Sequence, residues 1–117
     1  MVDKRNSIRF KIKNRAFSKL SDHSCPYHVA LILDMSTEGM AFSYLGKDAI
    51  CQNLNKLDIM YEDGLCINDV CVKIISDIKI QRKKITTRRC GVQFVNLTPQ
   101  QQQYIGNFIK AYAAGSA

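Results

Sequence analysis

V-A-L-I-L-D-M-S-T-E-G-M-A-F-S-Y-L, residues 29–45, reads as two strands joined by a polar turn. Tyr27 to Leu33 is apolar on both faces, as a central strand is. Gly39 to Leu45 follows as the next strand, so D-M-S-T-E-G at 34–39 becomes the connection of a hairpin. A plain turn explains that composition, because Asp and Ser side chains bond their own backbone. A ligand site explains it equally well, provided another segment supplies a complementary charge.

Outward from the hairpin, the pattern stays short and antiparallel. Residues 9–17 alternate, Phe10 and Ile12 against Arg9, Lys11 and Lys13, which predicts a strand beginning near Arg9. Leu20 to Pro26 reads as a loop. Lys56 to Glu62 alternates Leu57, Ile59 and Tyr61 against Asp58, Met60 and Glu62, and Asp63-Gly64 then marks a second hairpin. Leu65 to Ile67, Val70 to Ile75 and Asp77 to Ile80 read as further short strands. Gln81 to Lys84 is a polar turn. In Thr87 to Val95, Cys90, Val92 and Phe94 face one way and Arg89, Gly91 and Gln93 the other.

The period changes at the end. Thr98 is a candidate N-cap, Pro99 fits the first helical position, and Gln101 completes a capping box. Tyr104, Ile105, Phe108, Ile109 and Tyr112 recur at helical spacing, so one amphipathic helix is expected over about 99–113. About six or seven strands followed by one helix predict a mainly β fold, a small barrel or sandwich with the helix against it. Residues 1–8 are polar and charged without apolar period and read as an arm; residues 9–117 read as one domain.

The chain of 117 residues is long enough for one modest core, and 46% hydrophobic content argues against disorder. No run approaches the length that crosses a bilayer, so membrane insertion is not expected. The charged start, Met1 to Asn6, leads into no signal-type apolar segment, and a cytoplasmic location is the expectation. Five cysteines, at 25, 51, 66, 71 and 90, lack metal-site spacing and read as reduced thiols. Net charge is +7, from 17 basic against 10 acidic residues. The charge sits in two foci, one within the first twenty residues and one at Arg82, Lys83, Lys84, Arg88 and Arg89, which favours an anionic partner.

Chemistry concentrates in R-N-S-I-R at 5–9 and D-M-S-T-E-G at 34–39. Arginine presents a planar fork of donors that grips phosphate, pairs with guanine O6 and N7, or stacks on a base. Asp34, when ionised, only accepts, and guanine offers adjacent N1–H and N2–H donors to one carboxylate. Ser36 can donate to phosphate or accept from a base edge. Gly39 permits positive φ and lets the backbone approach a ligand closely. Glu38 would repel phosphate and is expected at the surface. Each motif alone arises easily in a basic chain; an arm bearing one and a strand turn bearing the other is a less common pairing.

That pairing resembles the PilZ domain, a bacterial receptor family for cyclic di-GMP, whose pattern is Arg-x-x-x-Arg, a spacer, then Asp or Asn-x-Ser-x-x-Gly. C-G-V-Q-F-V-N-L at 90–97 resembles the family's closing strand before a C-terminal helix. Carried from Lys4 to about Tyr112, the resemblance implies a six-stranded antiparallel β-barrel with a C-terminal α-helix. It also implies cyclic di-GMP clamped between arm and barrel by Arg5, Arg9, Asp34, Ser36 and Gly39. Lys4 is a further candidate for the ligand phosphate. No cofactor or metal is expected, and the signal would pass from the moving arm to a downstream protein partner. The competing reading is an adaptor of the same fold that binds its partner whatever the ligand.

DNA or RNA binding is not expected, because Arg82 to Arg89 contains no aromatic for bases to stack on. Catalysis is not expected either. His23 and His28 flank Cys25, but no oxyanion element or orienting third group accompanies them. Arg82-Lys83-Lys84 reads as a solvated hairpin tip.

Overall fold

The computed structural model describes residues 8–21, 28–46, 54–62 and 64–116. Lys4, Arg5 and nearly all of the expected arm lie outside the described residues, as do His23, Cys25, Cys51 and Asp63. The elements are β1 (Phe10–Ile12), β2 (Ala16–Ser21), β3 (His28–Met35), β4 (Gly39–Leu45), β5 (Lys56–Tyr61), β6 (Cys66–Arg82), β7 (Ile85–Phe94), α1 (Pro99–Tyr112) and β8 (Ala113–Ser116).

Strands β2-β5-β6-β7-β4-β3 are neighbours in that order, and β3 pairs back onto β2. The result is a closed six-stranded antiparallel barrel with one C-terminal helix. Closure removes the edges of these six strands, which would otherwise invite pairing with other chains. β3 is shared: its first half pairs with β2, Phe17 opposite Leu31, while its last residues pair with β1, Lys11 opposite Asp34. β8 lies on the outer side of β1, Lys11 opposite Gly115.

Three local expectations change. The single strand expected over 9–17 is two strands, broken at residues 13–15, where Arg15 has a φ of 87°. The three short strands expected between 65 and 80 are one, β6, whose register shifts between Ile74 and Ser76 and which absorbs Asp69 at φ 55°. Asp69 is tolerated because its N–H donates to the Asp58 carboxylate at 2.9 Å. Bulges let a strand run through residues that alternation reads as breaks. Finally, A-A-G-S after the helix, where alternation and composition predict no strand, is β8.

Inside the barrel, Ile32, Met35, Met40, Phe42, Ile59, Val70, Cys90 and Val92 are buried together with Ile105, Phe108 and Ile109 of α1. Full burial of one such large side chain is worth about 1.5–3 kcal/mol. The helix starts as its sequence predicts: the Thr98 hydroxyl accepts from Gln101 N–H at 3.0 Å, and the Gln101 side chain accepts from Thr98 N–H at 3.1 Å. At its other end Tyr112 stacks on Tyr61 of β5, with ring centroids 3.8 Å apart and planes within 3°. No helix among the described residues is long and apolar enough to cross a membrane.

The outer face of β3 departs from the expected central strand. Ala30 and Ile32 are buried, but Val29 and Leu31 are exposed. Both faces are apolar in sequence, yet only one faces the core.

Candidate functional site

Asp34 owes its position to an irregularity. On β3, Ile32 lies opposite Phe42, but Asp34 lies opposite Ala41, so Leu33 is an extra residue in the ladder. Without it, period-two alternation would turn the carboxylate of Asp34 toward the core beside Ile32. With it, Met35 takes the core position, fully buried, and Asp34 turns to the outer wall.

There the carboxylate meets two guanidiniums. Arg9, just before β1, donates from Nη1 to Asp34 Oδ1 at 2.5 Å. Arg89 of β7 donates from Nη2 to Asp34 Oδ2 at 2.9 Å. The Asp34 side chain is 9% exposed, against 26% for Arg9 and 45% for Arg89. Charge-assisted bonds of this kind are about twice as strong as neutral ones. Two cations on one anion leave a local surplus of positive charge facing solvent.

Asp34 and Met35 therefore belong to β3, and the connection is shorter than the expected D-M-S-T-E-G. Ser36 builds it. Its hydroxyl accepts from the N–H groups of Glu38 at 3.1 Å and Gly39 at 3.2 Å. Its own N–H donates to the Gly39 carbonyl at 2.8 Å. Ser36 is buried, so its hydroxyl is committed to the turn. Gly39 is needed for packing: a Cβ there would collide with the Val92 carbonyl oxygen of β7. Glu38 is exposed, and its carbonyl accepts from Phe94 N–H at 2.8 Å.

The expected residues thus converge where they are described: Arg9, Asp34, Ser36 and Gly39 meet at one end of the β3–β4 hairpin. Arg5 and Lys4 are outside the described residues. Arg89 joins them unforeseen. Alternation correctly puts it on the outer face, but only the strand order β7-β4-β3 brings it across to Asp34.

Its neighbour Arg88 points inward. Arg88 Nε donates to Asp77 Oδ1 at 2.8 Å, and the Tyr44 hydroxyl donates to Asp77 Oδ2 at 3.0 Å. The hydrogen bond to Asp77 raises the Arg88 pKa above the ordinary arginine value. The remaining basic residues of this region, Arg82, Lys83 and Lys84, are exposed at the β6–β7 tip, with Lys83 at φ 55°.

Two grooves open on the wall beside Asp34. One, about 360 Å³, is lined by Lys11, Asn14, Leu31, Leu33, Asp34 and Arg89. The other, about 560 Å³, is lined by Leu33, Ser43, Ile80, Ile85, Thr87 and Arg89, with Arg82 and Lys83 at its far end. Among the described residues no group of three or more His, Cys, Asp or Glu could hold a metal. Cys66, Cys71 and Cys90 are thiols outside any disulfide.

The PilZ domain family model matches residues 3–111. No curated protein matches the chain in sequence. Among solved structures, K. pneumonia MrkH in complex with c-di-GMP is similar at 16% identity and a TM-score of 0.78, over 94% of this chain and 52% of that one. The PilZ domain of YcgR from Escherichia coli, with c-di-GMP, is similar at 16% identity and a TM-score of 0.72, over 93% of this chain and 91% of that one. MrkH in its apo state gives 14% identity and a TM-score of 0.76, over 95% of this chain and 53% of that one. The chain spans about half the length of MrkH.

Proposed function

The chain belongs to the PilZ domain family, and from that premise we propose that it is a cyclic di-GMP receptor, a binding switch and not an enzyme. The observation that carries the reading is the pairing of Arg9 with Asp34, 25 residues apart in sequence, on the outer wall of the barrel. It joins the last arginine of R-N-S-I-R to the acid of D-M-S-T-E-G.

The ligand brings two phosphate charges and two guanines. A guanine edge offers N1–H and N2–H to both oxygens of one carboxylate, so Asp34 selects the base. Arg9 and Arg5 supply forks for phosphate and for guanine O6 and N7, and Lys4 adds charge. Ser36 and Gly39 act by holding the hairpin end tight against β7, which fixes Asp34. Residues 1–8 act as an arm, and 9–117 as the barrel domain that receives it. Docking the arm costs conformational entropy, which lowers affinity but yields a large structural response. A downstream protein partner reads that response, in a cytoplasm that keeps the thiols reduced.

Isothermal calorimetry of the native chain and of the Arg5→Ala/Arg9→Ala double variant tests the proposal. Binding by the native chain and none by the variant is expected; equal heats from both would end it.

One observation favours a second reading. Val29, Leu45, Ile75, Ile78 and Ile85 are each more than half exposed on the barrel. Such surface suits an adaptor that holds a protein partner regardless of nucleotide. Capture of the same partner in equal amount with and without cyclic di-GMP would support that alternative.

A further inference from the structure

We propose that Arg89 is a third ligand-binding arginine of this site, which passes from Asp34 to a phosphate of the bound cyclic dinucleotide. The proposal rests on the cyclic di-GMP reading above and adds a residue that neither sequence motif contains.

Competition for the carboxylate carries the argument. Each oxygen of Asp34 already accepts from one guanidinium, and the side chain is almost enclosed. Each oxygen has a lone pair to spare, but a guanine edge must reach both oxygens at once, and the nearly enclosed carboxylate offers that room only where a guanidinium withdraws. Arg89 is the more exposed of the two and stands on a barrel strand whose backbone is pinned on both sides, opposite Ser43 and Ile78. Next to it, the inward Arg88 is tied to Asp77. The Cα of Arg89 is therefore fixed while its long side chain can swing. Displaced from Asp34, it would leave an uncompensated cation at the site, and a phosphate oxygen is the partner that restores the balance.

The surroundings match the shape of that ligand. Arg89 and Leu33 are common to both grooves, so they form the ridge between them. A cyclic dinucleotide carries two bases flanking a ring of two phosphates. A phosphate held on the ridge leaves one base over each groove. Leu31 floors the smaller one, and Ile80 and Ile85 the larger, giving the flat faces of the bases apolar ground. Arginine also suits the task because its fork can hold two phosphate oxygens at once.

The bland role for Arg89 is to neutralise Asp34. That role predicts loss of stability in its absence and no loss of affinity. Calorimetric titration of the native chain, Arg89→Gln and Arg89→Lys with cyclic di-GMP, beside thermal unfolding of each without nucleotide, separates the two. Arg89→Gln is expected to bind about tenfold more weakly or worse, with a shallower dependence on salt. Arg89→Lys keeps the charge and guards against a misfolded Gln variant; it should fall between, for want of the fork. Native affinity in either folded variant would overturn the assignment of Arg89 alone. No binding by the native chain would sink the cyclic di-GMP reading and Arg89 with it.

Discussion

Gly39 of β4 lies opposite Gln93 of β7 and so close to the neighbouring Val92 that a methyl group on residue 39 would run into the Val92 carbonyl oxygen. Neither strand can retreat cheaply. Gly39 is tied to Ser36 by three bonds, and Val92 lies buried between β4 and β6. Gly39→Ala is therefore expected to cost about 1–3 kcal/mol, the usual range for overpacking a tight site. Urea unfolding checks it: the midpoint should fall with no change of slope. A variant as stable as the native chain would show that the two strands separate without penalty.

The same pair shows how far sequence reading reaches. Asp34 was legible as an acceptor because local composition signals it, whereas Gly39, read as a place for positive φ beside a ligand, has no positive φ and is pressed against the β7 backbone. The capping box at Thr98 was legible, like Asp34, from local composition, and the helix begins where it predicts. What alternation could not reveal was the extra residue at Leu33, because a bulge breaks the very period used to read the strand. Nor could it merge the pieces of β6 into one strand, since Asp69 and Ser76 are tolerated only through shifts in register. β8 has no pattern of its own; Ala113 to Ser116 are extended because β1 pairs with them. Arg89 was placed on the correct face and missed as a neighbour of Asp34, because strand order is a long-range property that no local window carries.

Tyr61 and Tyr112 join the barrel to the end of the helix. Their rings stack, Phe108 meets Tyr112 edge-on at 4.8 Å, and the Tyr112 hydroxyl accepts from Leu65 N–H at 3.2 Å. The stack and the hydrogen bond are separable. Tyr112→Phe removes only the acceptor at an exposed N–H and should cost at most about 1 kcal/mol. A double-mutant cycle with Tyr61→Leu and Tyr112→Leu should return a coupling of about 0.5–1.5 kcal/mol for the aromatic pair. Chemical denaturation of the four proteins gives that value, and additive losses would mean that the rings pack independently.

The last strand reaches the site through β1. β1 is three residues long and begins at Phe10, immediately after Arg9, so whatever holds β1 also fixes the root of the arm. On one side it has β3, and on the other β8, with Phe10 opposite Ser116 and Ile12 opposite Ala113. Lys13 N–H also donates to the Tyr112 carbonyl at 2.9 Å, which ties the end of β1 to the end of the helix. Removing residues 114–117 takes away most of one of the two partners of β1 but keeps Ala113, whose N–H caps the helix at Ile109 and whose side chain packs against the core. Short strands with one partner open easily. The amides of residues 10–12 should then exchange with solvent faster, while those of β4 and β7 keep their protection. If the arm clamps nucleotide as proposed, cyclic di-GMP should also bind the shortened chain more weakly, because Arg9 would no longer be held in place before the ligand arrives. Unchanged exchange at Phe10 to Ile12 would mean that β3 alone secures β1 and that the tail is a passive neighbour of the site.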